Sequence, residues 1–262
     1  MTITLDANRV LDVVRDIPIA AGDHRPISGE ACLTEKVSIL YALVDDDVDI
    51  VDMFDDVPLC TNEVVARVGQ HLNDESSTKI ERRRLQRHIP RLLRCHRTGR
   101  DAAIAVRLAL WAADDASIWF DDEVYTAATA VVRAARRCFD APGGDTLDGL
   151  RRAVVDSYIA ACQPLDGRPR LAMHVVGDTA RLVHSYAEAT VAGVAAPSQA
   201  VLAATCLNSL YQSVWPGSPT HFLGALLDAW EDAMGAEGQQ IPGPWPWESQ
   251  AVAAIDSYLA QA

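Results

Sequence analysis

Residues 101–116 read DAAIAVRLALWAADDA, and this stretch decides the fold class. Ile104, Val106, Leu108, Leu110 and Trp111 stand among alanines, so a helical wheel drawn here is apolar nearly all round. Alanine and leucine are strong helix formers, and no glycine or proline interrupts them. A helix with so little polar surface sits in the middle of a fold, packed against other helices.

Working outward toward the N-terminus, Gly99 closes a basic helix. That helix opens at a Thr-x-x-Glu capping box, Thr78 with Glu81, and Pro90 kinks or restarts it. Asn73 to Ser77 reads as a turn, and Thr61 and Asn62 are cap-type residues for a helix over Glu63 to Leu72. An acidic stretch, Asp45 to Asp56, ends at Pro58. Before it the pattern predicts helices over Leu5 to Arg15 and Glu30 to Val44.

Toward the C-terminus, Asp121 and Asp122 suit the positive end of a helix running to Cys138. Ala141-Pro142-Gly143-Gly144 is a breaker, and an amphipathic helix through Leu147 to Ile159 follows it. Further helices are predicted over Leu171 to Ala196, from a Ser198 cap to Trp215, from Ser218-Pro219 to Met234, and over Glu248 to Leu259. No Val/Ile-rich alternation bounded by turn signals marks a strand. The expected fold is all-α, an irregular bundle of about ten helices. The breaker divides it into an N-terminal half, residues 1–140, and a C-terminal half, residues 145–262, with one continuous domain as the alternative.

The chain has 262 residues and a formal net charge of −13. That average field repels nucleic acid and anionic membranes, so neither is expected as a partner. The N-terminus lacks a signal-peptide pattern, and no run reaches the roughly 18 apolar residues of a spanning helix. A cytoplasmic protein is the expectation. Six cysteines, at 32, 60, 95, 138, 162 and 206, form no Cys-x-x-Cys pair and suit apolar helical faces.

Two charged segments stand out. Asp45 to Asp56 holds seven aspartates among Val48, Ile50, Val51, Met53 and Phe54, the mixture of an acidic docking segment or of a solvated loop anchored by its apolar members. Lys79 to Arg100 holds nine basic residues, and Arg83, Arg87, Arg91 and Arg94 follow helical spacing as a candidate anion-binding ridge. The alternative for the ridge is internal pairing with the acidic stretch Asp45 to Asp56, or with a symmetry mate.

Asp45-Asp46-Asp47-Val48-Asp49 fits Asp-Asp-x-x-Asp, and Asn73, Asp74, Ser77 and Glu81 fit Asn-Asp-x-x-Ser-x-x-x-Glu. Together these resemble the two metal-binding motifs of class I terpene synthases, which are also all-helical. The resemblance implies Mg²⁺ held by Asp45, Asp46, Asp49, Asn73, Ser77 and Glu81 and bridging to a substrate diphosphate. Against it, the motifs lie close together in sequence, aromatics to steady carbocations make up 6% of the chain, and the turn before Thr78 scatters the second ligand set. Leu72-Asn73-Asp74, Arg84-Leu85, Ile89-Pro90-Arg91-Leu92-Leu93 and Ala109-Leu110-Trp111 also resemble a helical segment of uncharacterised actinobacterial proteins over residues 72–115. That resemblance implies a helical fold and transfers no functional residue.

His174, Asp178, Arg181 and His184 lie on one long helix without a complete ligand set, and no serine sits in a Gly-x-Ser-x-Gly elbow. Pro242-Gly243-Pro244-Trp245-Pro246-Trp247 favours an extended segment with projecting rings, either a docking tail or a brace for the last helix. The leading expectation is a non-catalytic helical interaction or regulatory protein, with a protein partner or self-association and no cofactor. The alternative is a Mg²⁺-dependent enzyme acting on a diphosphate.

Overall fold

The computed structural model describes residues 5–21, 30–43, 61–118, 120, 122–160, 168–196 and 198–261. The expected all-α fold is what these residues form. The helices are α1 (Ala7–Asp16), α2 (Leu33–Ala42), α3 (Glu63–Glu75), α4 (Lys79–Leu85), α5 (Ile89–Leu92), α6 (Asp101–Ser117), α7 (Asp122–Asp140), α8 (Gly144–Ala160), α9 (Arg168–Val191), α10 (Ala200–Val214), α11 (Pro219–Ala236) and α12 (Glu248–Gln261). A 3₁₀ turn, Gln86–His88, joins α4 to α5. Extended pairing among the described residues is limited to two isolated bridges, Ile19 with Ala31 and Thr61 with His96.

Packing divides the chain into two compact units: residues 100–216, and a discontinuous unit of 1–99 with 217–262. In the continuous unit α6 and α9 are the central helices. α6 packs on α7, α9 and α10, and α9 also packs on α7, α8 and α10. Ile104, Val106, Leu108 and Leu110 are all buried, as the apolar wheel predicts, and Thr179 of α9 donates to the Ala109 carbonyl at 3.0 Å. The breaker expected to separate two halves lies inside this unit, as the turn of the α7–α8 pair. Thr146 Oγ1 there donates to the carbonyls of Ala141 and Gly143. Proline and glycine announce that a helix ends; they do not say whether the next one packs straight back.

In the discontinuous unit α11 lies against α3 and α4, while α12 packs on α1 and along the 3₁₀ turn and α5. Phe222, Leu223, Leu226, Leu227, Trp230 and Met234 form the inner stripe of α11 and are buried, as are Leu85, Ile89 and Leu92 of the same unit. Each such side chain contributes roughly 1.5–3 kcal/mol on burial. No helix among the described residues is long and apolar enough to cross a membrane.

Several boundaries differ from expectation for identifiable reasons. α2 starts at Leu33, not Glu30, because Cys32 and Glu35 form a reciprocal cap: the Cys32 N–H donates to Glu35 Oε2 and the Glu35 N–H to Cys32 Sγ. α3 runs through Asn73 to Glu75, so the expected turn at Asn73 to Ser77 is compressed to Ser76 and Ser77. α9 stops at Val191 because Gly193, at φ +66°, adopts the left-handed conformation of a Schellman stop, with the Val194 N–H donating to the Ala189 carbonyl. Gln199, not Ser198, precedes α10 as its cap residue.

Candidate functional site

The arginine-rich stretch folds into α4, the 3₁₀ turn and α5, and its arginines meet two different fates. Arg91 donates to Asp228 at 2.8 Å and to Glu231 at 2.9 Å, both on α11. Arg94, 8% exposed, donates to Glu231 at 3.0 Å, lies 3.2 Å from the Glu248 carboxylate that opens α12, and donates to the Pro242 carbonyl. These two therefore pair within the chain, but with carboxylates of α11 and α12 and not with the acidic stretch named in the expectation. A buried carboxylate or guanidinium left alone would be costly, so this knot binds α5, α11 and α12 together only as a complete set.

Arg83, Arg84 and Arg87 instead line a groove of about 510 Å³ within the discontinuous unit. Its walls are Ile80 and Glu81 of α4, residues Gly217 to His221 at the start of α11, and Asp256, Leu259 and Ala260 of α12. Arg87 pairs with Asp256 at 3.2 Å at the solvent edge, a bond worth at most about 1 kcal/mol. Arg84 is exposed, and no ion pair joins it to a described carboxylate. Ile80 is 61% exposed and offers an apolar surface beside it.

The first turn of α11 adds polarity of the same sign. Ser218 is its cap residue, yet no side chain caps the helix, because the Ser218 hydroxyl pairs with His221 Nδ1 at 2.7 Å. No side chain therefore caps the first turn of this 18-residue helix, and residues Gly217 to His221 at its start line the same groove as the arginines. Beneath the groove His88 Nε2–H donates to the Thr220 carbonyl at 2.9 Å, which fixes the neutral tautomer. Burial pushes His88 down to about 4.

The residues assigned to magnesium by resemblance are not gathered together among the described residues. Asn73 is fully buried in α3, its amide donating to the Ala20 carbonyl at 2.8 Å. Ser77 and Glu81 bond to each other at 3.0 Å, and Glu81 Oε2 also accepts the Thr78 N–H as part of the expected capping box. Asp45, Asp46 and Asp49 lie outside the described residues, as does the whole acidic stretch. On α9, Asp178 pairs with Arg181, while His184 accepts from Arg151. Trp245 and Trp247 stack on each other, centroids 5.9 Å apart, and the Trp245 N–H donates to Glu248, so this segment braces the start of α12.

Sequence reasoning missed Lys36. It is fully buried in α2, and its ammonium donates to the carbonyls of Val13 and Val14 at 3.4 and 3.2 Å, to that of Ile17, and to Gln86 Oε1. It closes the C-terminal end of α1 and ties it to the 3₁₀ turn. Burial pushes Lys36 down to about 7. The available signal was its place on the apolar side of α2, one turn from both Leu33 and Leu40.

No family model matches this chain, and neither a curated protein nor a solved structure matches it.

Proposed function

We propose that this chain is a helical interaction protein, and that the groove of Arg83, Arg84 and Arg87 is where it receives an acidic, partly apolar segment of a protein partner. One observation carries the reading: of an arginine-rich stretch whose inner members are consumed by carboxylates of the same unit, Arg84 faces outward beside Ile80 and an uncapped helix terminus. Charge with an apolar neighbour suits carboxylates spaced among aliphatic or aromatic residues, since the ion pairs set register and the apolar contacts hold it. In a chain of net charge −13 a local cationic groove also selects its partner, because the surrounding field repels anions that do not fit it. Cys32, Cys95, Cys138 and Cys206 are free thiols, which fits action in the reducing cytoplasm.

A peptide display library selected on the immobilised protein tests this. Enrichment of Asp/Glu-rich sequences with interspersed apolar residues is expected, and Arg84→Glu protein releases them. Enrichment of neutral or basic peptides, or acidic peptides retained equally by Arg84→Glu, would overturn the reading.

A further inference from the structure

The groove's requirements match a stretch of this very chain. Asp45 to Asp56 carries seven aspartates, with Val48, Ile50, Val51, Met53 and Phe54 among them. Resting on the proposed function above, we infer that the partner is a second copy of this chain, each copy placing its aspartate-rich stretch on the other's Arg83–Arg84–Arg87 groove.

Complementarity is the first support. The stretch contributes seven of the chain's 36 acidic residues within twelve positions, and the groove presents exposed Arg84 beside Arg83 and Arg87, with Glu81 and the Arg87 partner Asp256 as the carboxylates of its wall. Two copies of a polypeptide at −13 repel each other at long range, and opposite charges brought face to face offset that repulsion. Docking the most acidic stretch on the arginine-lined groove supplies that contact and places Ile80 and Leu259 against the interspersed apolar residues. Reach is the second support. Residues 44–60 connect Leu43 to Thr61, and seventeen residues span at most about 55 Å when extended. Thr61 and Asn62 are held in place, the Asn62 N–H donating to the Cys95 carbonyl and the Thr61 carbonyl accepting from Arg97. Self-complementarity is the third. A chain bearing both a patch and its complement forms a closed two-fold pair in which each contact occurs twice, and the second forms at high effective concentration once the first is made.

Sedimentation velocity across a concentration series tests this with two single-function variants. Arg84→Glu spoils the groove and keeps the stretch; Asp45→Asn/Asp46→Asn/Asp49→Asn/Asp52→Asn weakens the stretch and keeps the groove. Wild type is expected to dimerise, more weakly at high salt. Each variant alone dissociates at least about tenfold more readily, because a symmetric pair loses the contact twice. Mixed, the two variants re-form a 1:1 dimer through the one contact each pair retains. Thermal melts and circular dichroism check that both remain folded, which the exposure of Arg84 favours. A synthetic peptide of residues 44–58 supplies a second readout: it binds Arg84 protein and not Arg84→Glu protein.

A monomeric wild type, whether the stretch engages its own groove or none, would overturn the inference, as would variants that dimerise like wild type or fail to complement. If wild type is monomeric while foreign acidic peptides still bind in an Arg84-dependent way, the partner is another protein and the proposed function stands. If no acidic peptide binds, both fall.

Discussion

Replacing Lys36 with methionine tests the least expected feature of the core. Methionine keeps most of the aliphatic volume and removes the ammonium that serves the Val13, Val14 and Ile17 carbonyls and Gln86 Oε1. In the folded protein burial holds Lys36 at about 7, against an ordinary value of 10.5. The sign follows from proton counts. Below the folded value both states carry the proton and the folded state bears the full cost of a buried cation. Between the two values the unfolded chain binds more protons than the folded one, so stability rises with pH, and above 10.5 the cost is gone. Across the interval from about pH 7 to about pH 9 the wild type should gain about 2 kcal/mol over the methionine variant, at 1.36 kcal/mol for each unit fully traversed. At the alkaline end the variant is the less stable protein, because unmatched buried acceptors cost about 1–3 kcal/mol each. Urea denaturation of both proteins across that range reads the difference. The thiols of Cys32 and Cys206, which burial pushes up to about 12, add an opposite trend above their ordinary values, but it is common to both proteins and cancels. A difference that stays constant, or shifts against the wild type as pH rises, would refute the lowered value of folded Lys36.

Arg94→Met should cost about 3–5 kcal/mol in urea denaturation, since Glu248, 11% exposed, loses its cation while staying in place. Gly69→Ala, whose new methyl meets Leu33 and Thr34 at ordinary contact distances, should stabilise α3 by about 0.5–1 kcal/mol. Gly224→Ala should gain less or lose, because its methyl meets His88 Cε1 at 3.4 Å; a thermal melt of the pair reads the contrast. His88, held near 4 by burial, makes the folded state lose stability as pH falls from 6.5 toward 4, by up to about 3 kcal/mol, and a His88→Gln variant should lack that part of the acid sensitivity in matched titrations.

The helical fold was legible because its signals are local. The apolar wheel of 101–116, the Thr78–Glu81 box and Pro219 at the start of α11 each act within a turn or two, and each is found in place. The division into units was not legible, because Gly99–Arg100 and Pro216–Gly217 carry no stronger punctuation than Pro142–Gly143, and what separates the units is packing between residues far apart in sequence. Lys36 was passed over for the same reason. Its acceptors are carbonyls at the end of another helix and an amide fifty residues on, and backbone carbonyls leave no mark in a sequence.

The arginine ridge shows why spacing alone misassigned its faces. In one continuous α-helix Arg83, Arg87, Arg91 and Arg94 advance by 100° per residue and share a stripe. The 3₁₀ turn at Gln86–His88 advances by about 120° per residue, so three residues rotate everything after them by roughly 60° relative to α4. That rotation carries Arg91 and Arg94 toward α11 and α12, where Asp228, Glu231 and Glu248 meet them, and leaves Arg84 and Arg87 on the groove. Pro90 is the reason in sequence: with no N–H to donate, it cannot bond to the Gln86 carbonyl as an uninterrupted α-helix requires, and the tighter turn forms just before it. A stretch that reads as a single cationic ridge is thereby split into a structural clamp and an open arginine-lined groove. Replacing Pro90 by alanine should let the helix run through, turn Arg91 and Arg94 away from their carboxylates, and lower stability instead of raising it as helix propensity alone would predict; a Pro90→Ala protein more stable than wild type in urea would refute this account of the ridge.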